Sequence, residues 1–169
     1  FSFLAGKRGL IAGIANEESI AYGRAQAARK AGASLALTYF NEKARPYVEP
    51  LAKTLSAEIF LPLDVRDRAQ LDAVFAAIRD KWGRLDFVVH SIAYAPKIDL
   101  QGRLTDSSVE GFLTAVDISC HSFIRMAKRA EPLMTEGGAL VTMTYYGAEK
   151  VIPNYGLMGP VKAALESAV

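Results

Sequence analysis

Cysteine is nearly absent from this sequence: Cys120 is the only one in 169 residues, so no disulfide can form within the chain. Histidine is almost as scarce. His90 and His121, with one thiol, give none of the spacings that hold a metal, and no metal site is expected. An excess of charge is lacking too: 20 basic against 18 acidic side chains leave a net +2, too even for a nucleic-acid surface or a polybasic membrane anchor. Long apolar runs are also missing. None nears the roughly 18 residues of a membrane span, and residues 1–8 hold no signal-like apolar stretch. The expectation is a soluble protein of the reducing cytoplasm that binds neither nucleic acid nor membrane.

What is present is apolar. With 51% hydrophobic and 22% charged residues, the chain can bury one sizeable core, so a single domain over 1–169 is expected. Short apolar runs alternate with longer segments of 3.6-residue periodicity, the pattern of βαβ units and a parallel sheet covered on both faces. Strands are expected at Gly9 to Ala12, Ser34 to Tyr39, Glu58 to Leu63, Phe87 to His90 and Ala139 to Thr144, each buried on both faces. One helix stripe runs through Leu71, Val74, Phe75, Ile78 and Trp82; another, through Val109, Phe112, Leu113, Val116, Cys120 and Phe123, also reads as core. Gly32 and Gly83 stand where helices end. The fold class is α/β, a doubly wound parallel sheet of Rossmann type. The chain begins with Phe1 rather than Met and stops at Val169 within a helical pattern without a cap, so the domain is expected to be C-terminally incomplete.

The first strand runs into a turn, Gly13 to Gly23, that opens a helix and leaves backbone N–H groups free for a phosphate. Gly13 permits the sharp turn, Ser19 can cap the helix and donate to a pyrophosphate, and small Ala21 and Gly23 let the helix lie close to the sheet. The spacing is not G-x-G-x-x-G, and by itself such a turn is equally an ordinary βα loop. After the second strand comes Tyr39-Phe40-Asn41-Glu42-Lys43-Ala44-Arg45, with no acid at the strand tip. Glu42 can reach a ribose, Lys43 or Arg45 a 2′-phosphate, and each can equally be a solvated charge, so NADH and NADPH both stay open. Asp64, after the third strand, can accept from an adenine amino group or cap the next helix.

The fourth strand leads into the small-residue loop His90-Ser91-Ile92-Ala93-Tyr94-Ala95-Pro96, and the fifth into the segment Thr142 to Lys162. Two tyrosine–lysine pairs compete there. Tyr146 and Lys150 have the Y-x3-K spacing of ordinary short-chain dehydrogenases, but Gly147 and Pro153 keep that stretch from being a helix. Tyr155 and Lys162 are seven apart, two helical turns on one face. Pro160 between them implies that the helix proper starts after Tyr155, leaving the proline in its first turn, where it is tolerated.

Taken together, the Gly13 to Gly23 turn, Asp64-Val65, the His90 to Pro96 loop, Asp117-Ile118-Ser119 and the Tyr145 to Lys162 segment with its Ile152-Pro153-Asn154-Tyr155 core resemble the enoyl-[acyl-carrier-protein] reductases of type II fatty-acid synthesis. These are the Y-x6-K branch of the short-chain dehydrogenase/reductase superfamily. The resemblance implies hydride transfer from NADH, or from NADPH, to the β-carbon of a trans-2-enoyl thioester borne by acyl carrier protein. Tyr155 would donate to the enolate, Lys162 would hold the nicotinamide ribose, and Tyr145 would flank the substrate. It implies cofactor contacts from Gly13, Ser19, Ile20, Phe40, Asp64, Val65, Ser91, Ile92, Ala93 and Lys162, with Phe40 standing where relatives often carry a polar residue. Ala95, Leu100, Ile152 and Met158 become pocket walls, core packing being their other reading. A homotetramer is implied, with the Phe112 to Phe123 stripe partly facing a sister subunit. The family's further strands and substrate lid are missing from this chain. Two other functions stay open: a carbonyl-reducing short-chain dehydrogenase using Tyr146 and Lys150, for which Thr142 and Thr144 are poor serine substitutes, and a non-catalytic dinucleotide-binding fragment.

Overall fold

The computed structural model describes residues 2–169 as two compact units, each built from two stretches of chain: 2–91 with Ala127–Thr142, and Ile92–Met126 with Met143–Val169.

The first unit holds a five-stranded parallel sheet of order β3-β2-β1-β4-β5, formed by β1 (Arg8–Ala12), β2 (Ser34–Tyr39), β3 (Ile59–Pro62), β4 (Phe87–His90) and β5 (Ala139–Thr142). Helices α1 (Ile20–Lys30), α2 (Arg45–Thr54) and α3 (Arg68–Trp82) connect its first four strands. Parallel pairing needs such crossovers, and the sequence supplies them where short apolar runs give way to 3.6-residue periodicity. The strands β2 and β4 have the expected bounds. For β3 the ladder bonds extend one residue beyond each assigned end, Glu58 N–H to the Leu35 carbonyl and Leu63 N–H to the Tyr39 carbonyl. All five residues of the α3 stripe are buried; Asp67 caps this helix by accepting from the Ala69 and Gln70 amides, and Gly83 ends it in the left-handed conformation. The doubly wound expectation holds.

One strand corrects the sequence reading. β5 was expected to be buried on both faces and to run to Thr144, yet it lies at the end of the strand order, exposes Ala139, Leu140 and Val141, and stops at Thr142. Its last register partner is His90, the final residue of β4, so the ladder has nothing further to pair with.

The second unit is built from short pieces: α4 (Lys97–Gln101), α5 (Val109–Val116), a π-helical turn (Asp117–His121) and α7 (Met158–Ser167); α6 (Ser122–Ala130) follows the π turn. Its core gathers Ala115, Cys120, Phe123, Leu157, Met158, Val161 and Leu165. Here too a stripe is corrected. Val109 and Leu113 are 69% and 62% exposed, because α5 turns Gly111 and Ala115 inward instead. The buried Asp99 fixes that choice: its carboxylate accepts from the Ser108 N–H at 2.6 Å, and a Cβ on Gly111 would stand 2.1 Å from Asp99 Oδ2. Among the described residues no helix is long and apolar enough to cross a membrane.

Candidate active site

Gly13 leaves β1 with φ of +114°, and a Cβ there would fall 1.9 Å from the Ser91 carbonyl oxygen. Only glycine lets the β1 and β4 tips come this close, with Ser91 N–H donating to the Ala12 carbonyl. Ser19 occupies the N-cap position of α1 but does not cap it. Its hydroxyl accepts from the Ala15 and Asn16 amides at 3.0 and 2.9 Å and donates to the Asn16 carbonyl, which ties the turn to itself. The consequence lies one residue on. Among the described residues the Ile20 and Ala21 N–H groups have no partner, and the first turn of α1 carries no acid. An uncapped helix start without negative charge fits a pyrophosphate. Ala21 is buried as expected, whereas Gly23 is exposed with open space beside it and plays no part in close packing.

At the β2 tip the charges are already paired. Glu42 accepts from the Tyr39 hydroxyl at 2.9 Å and lies 3.6 Å from Arg45, which also meets Glu49 at 3.3 Å and stacks over the Tyr39 ring. Phe40 beside them is half exposed. Asp64 receives the Arg66 guanidinium at 2.6 Å, and the helix-capping role weighed for it belongs to Asp67. Val65 is buried, and Ser91 ends the first of this unit's two stretches of chain.

In the second unit the tyrosine and lysine sit in different settings. Lys162 lies in the second turn of α7 and is only 5% exposed; its Nζ donates to the Met143 carbonyl at 2.6 Å and, among the described residues, makes no ion pair. Burial pushes its pKa down, an effect countered by the neighbouring Cys120 thiol, itself pushed up by burial. Tyr155 precedes α7, which starts at Met158 and takes Pro160 as its third residue. The helix thus starts after Tyr155 with Pro160 in its first turn, as expected from the proline, and sets the lysine on the helix and the tyrosine on the loop before it. Tyr155 stands edge-on to Tyr145, with ring centroids 4.8 Å apart at 63°, and burial, then the Tyr145 hydroxyl, raises its pKa. A raised pKa keeps it a phenol, hence a donor, at neutral pH. Gly147 makes room for that ring: a Cβ there would sit 2.3 Å from it.

The pocket candidates separate. Ile152 and Tyr155 line a cleft of ≈ 550 Å³, whereas Met158 is buried in the core with Ala95 and Leu100 packed against it. Ile92 and Ala93 begin this unit, and Tyr94 is fixed by Ser119, whose buried Oγ accepts from Tyr94 N–H at 2.9 Å and donates to its carbonyl at 3.0 Å. The sequence reading gave no role to Ser119 or to the Met143 carbonyl, and took Gly147 only as a break in the chain's helicity; Ser119 stood in a quoted motif, but a backbone oxygen leaves no signal in residue types. Of the competing pair, Tyr146 is exposed and opens a 3-10 turn, and Lys150 is exposed too. Thr142 and Thr144 are engaged by His90 and Glu166.

A Rossmann-type sheet with a bare helix start after β1, and a tyrosine followed by a buried lysine beyond β5, define the class of short-chain dehydrogenase-like proteins. The chain belongs to the enoyl-(acyl carrier protein) reductase family, whose model matches residues 13–169. It is 51% identical over 164 residues to the enoyl-[acyl-carrier-protein] reductase [NADH] 1 of Rhizobium meliloti, covering 97% of this chain and 60% of that protein. The enoyl-(acyl-carrier-protein) reductase of Anaplasma phagocytophilum, solved in complex with NAD, superposes with a TM-score of 0.96 at 48% identity, covering 99% of this chain and 64% of the other. That of Bacillus cereus, solved with NADP+ and indole naphthyridinone, superposes with the same TM-score at 42% identity, covering 100% and 66%. The chain thus spans less than two thirds of the length of each of these proteins.

Proposed function

We propose that this chain carries the nucleotide-binding and proton-donating parts of an NADH-dependent reductase acting on trans-2-enoyl thioesters of acyl carrier protein. The observation that carries the reading is the pair formed by Tyr155, kept a phenol by burial, and Lys162, a buried ammonium steadied by a backbone carbonyl rather than by an acid. A bound nicotinamide supplies the hydride. The Tyr155 hydroxyl donates to the oxygen on which charge develops as the β-carbon is reduced, and the proton that completes the α-carbon follows. Lys162, which no carboxylate neutralises among the described residues, offers its remaining N–H groups to the ribose hydroxyls and favours negative charge nearby. On the first unit the Ile20 and Ala21 amides receive the pyrophosphate, with Gly13, Ser19, Asp64, Val65, Phe40 and Ser91 shaping the nucleotide contacts. Ile92, Ala93, Ala95, Leu100, Tyr145 and Met158 do the same for nicotinamide and substrate.

The choice of NADH rests on the β2 tip. Arg45, the basic group that would greet a 2′-phosphate, is already met by Glu42 and Glu49, leaving Lys43 as the only uncommitted cation of that segment. The naming of the Rhizobium relative as an NADH enzyme agrees. Exposed Val109 and Leu113 on α5 and Ile124 on α6 support a homotetramer joined through these helices, and the single buried cysteine suits the cytoplasm.

The test is Tyr155→Phe. With a trans-2-enoyl thioester and NADH, turnover should fall by about 10²-fold or more while NADH affinity holds, since only a transition-state donor is removed. Full turnover in this variant would end the donor role, and cofactor binding without turnover in the unaltered protein would favour a binding module.

A further inference from the structure

One face of α7 meets the chain leaving β5 at three points. Gly159 lies so close to the turn opened by Tyr146 that a Cβ there would stand 2.9 Å from the Gly147 carbonyl oxygen. Lys162 donates to the Met143 carbonyl, and the Glu166 carboxylate accepts from the hydroxyl of Thr144, 22 residues back in the chain. Positions 159, 162 and 166 follow the i, i+3, i+7 spacing of a single helix face. Tyr145 therefore sits in a span whose two ends are held by the same helix, Thr144 before it and Gly147 after it, and its ring centroid stands 4.8 Å from that of Tyr155. Hydride and proton transfer give Gly147 and Lys162 their parts and leave Glu166 without one.

The bond from Thr144 is not the one that α7 offers most readily. A lysine and a glutamate one helical turn apart commonly pair with each other, and Lys162 and Glu166 have that spacing. Here each reaches across to the β5 exit instead, the ammonium to one residue and the carboxylate to the next, and among the described residues they form no ion pair with each other. The lysine alone fixes one carbonyl and leaves the chain free to turn about it before Tyr145. A second bond, on the adjacent residue, removes that freedom. Resting on the reductase reading, we propose that Glu166 is a positioning residue of the reaction: by holding the Thr144 hydroxyl it sets the direction in which the chain enters Tyr145, and through the Tyr145 ring the place of Tyr155. Glu166 and Thr144 are both exposed, so their bond adds little to overall stability, and its effect falls on the geometry of the two rings.

The test uses the protein made from its complete gene, with a trans-2-enoyl thioester and NADH. In Thr144→Val and in Glu166→Ala kcat should fall about fivefold while the KM for NADH and the thermal midpoint hold, because Lys162 keeps its own carbonyl. The double variant should lose no more than either single one, and Thr144→Ser, which keeps the hydroxyl, should turn over within about twofold of the unaltered protein. Normal kcat in the single variants, losses that multiply in the double, a Thr144→Ser protein as impaired as Thr144→Val, or a KM for NADH that rises in step with the fall in kcat overturns the proposal. If the unaltered protein does not reduce the thioester, the reductase reading is what fails. The hold on the span is then judged by hydrogen exchange at Ala148, Glu149 and Lys150, whose amides donate to the Tyr145 and Tyr146 carbonyls. Exchange about fivefold faster in both single variants upholds it, and unchanged exchange overturns it.

Discussion

The two units hold their shape by different means. In the first, apolar strands and helices bury whole faces: Leu10, Ile11, Leu35, Leu37, Leu71 and Ile78 are all fully enclosed, and the polar groups within it, Thr38 and His90, are few. In the second, the interior is rich in polar side chains, with Asp99, Ser119, Ser122 and Lys162 each committed to a backbone group, that of Asp99 being the N–H of the α5 cap residue Ser108. Hydrophobic area sets the architecture of one, and individual hydrogen bonds set the geometry of the other. A scaffold tolerates imprecision of a few tenths of an ångström; a donor aimed at one substrate oxygen does not.

The largest expected effect breaks the comparison on its stable side. Leu71→Ala in α3 empties a fully buried position and should cost about 2–5 kcal/mol, read by urea unfolding, while leaving the catalytic constants of the surviving folded fraction close to normal. A comparable loss of kcat would mean that the first unit tunes the chemistry rather than merely supporting it.

Gly147→Ala should show the converse. The new methyl has no room beside the Tyr155 ring, so the ring must shift, and kcat should drop about tenfold for a stability loss near 1 kcal/mol. Normal kcat in this variant would show that the Tyr155 ring is not held where Gly147 puts it.

The same contrast governs how much could be read in advance. Strands β2 and β4 and the α3 stripe were legible because burial on both faces leaves an unbroken mark on residue type, and Gly83 because a left-handed helix end selects glycine. Val109 and Leu113 misled because apolar periodicity does not tell which of two apolar rows turns inward, and it was Gly111 against Asp99 that decided. In the same way Tyr155 and Lys162 were found by spacing and the break between loop and helix by Pro160, but the Met143 carbonyl and the Ser119 clasp on Tyr94 are tertiary choices of the backbone that spacing does not encode. Ser19 shows the limit most plainly: it was right as a helix-start residue and wrong as a cap, because its hydroxyl had a nearer partner in the turn.

The smallest effect concerns pH. Burial holds the pKa of Lys162 below its ordinary 10.5, so the folded protein gives up this proton more readily than the unfolded chain does. Between that lowered value and 10.5 the unfolded state binds more protons, and Lys162 therefore lowers stability at neutral pH by an amount that shrinks as pH rises toward 10.5. Cys120 and Tyr155 act with the opposite sign: their raised pKa values add stability that is lost as pH climbs beyond 9.0 and 10.0 respectively. The Lys162 component is isolated by difference. Thermal unfolding of Lys162→Met and the unaltered protein should give midpoints whose gap moves in favour of the unaltered protein between neutral pH and 10.5, together with loss of NADH binding in the variant. A gap independent of pH would mean that the ammonium is hydrated well enough to pay no burial penalty, and Lys162 would then belong to the water-exposed chemistry of the site rather than to its buried frame.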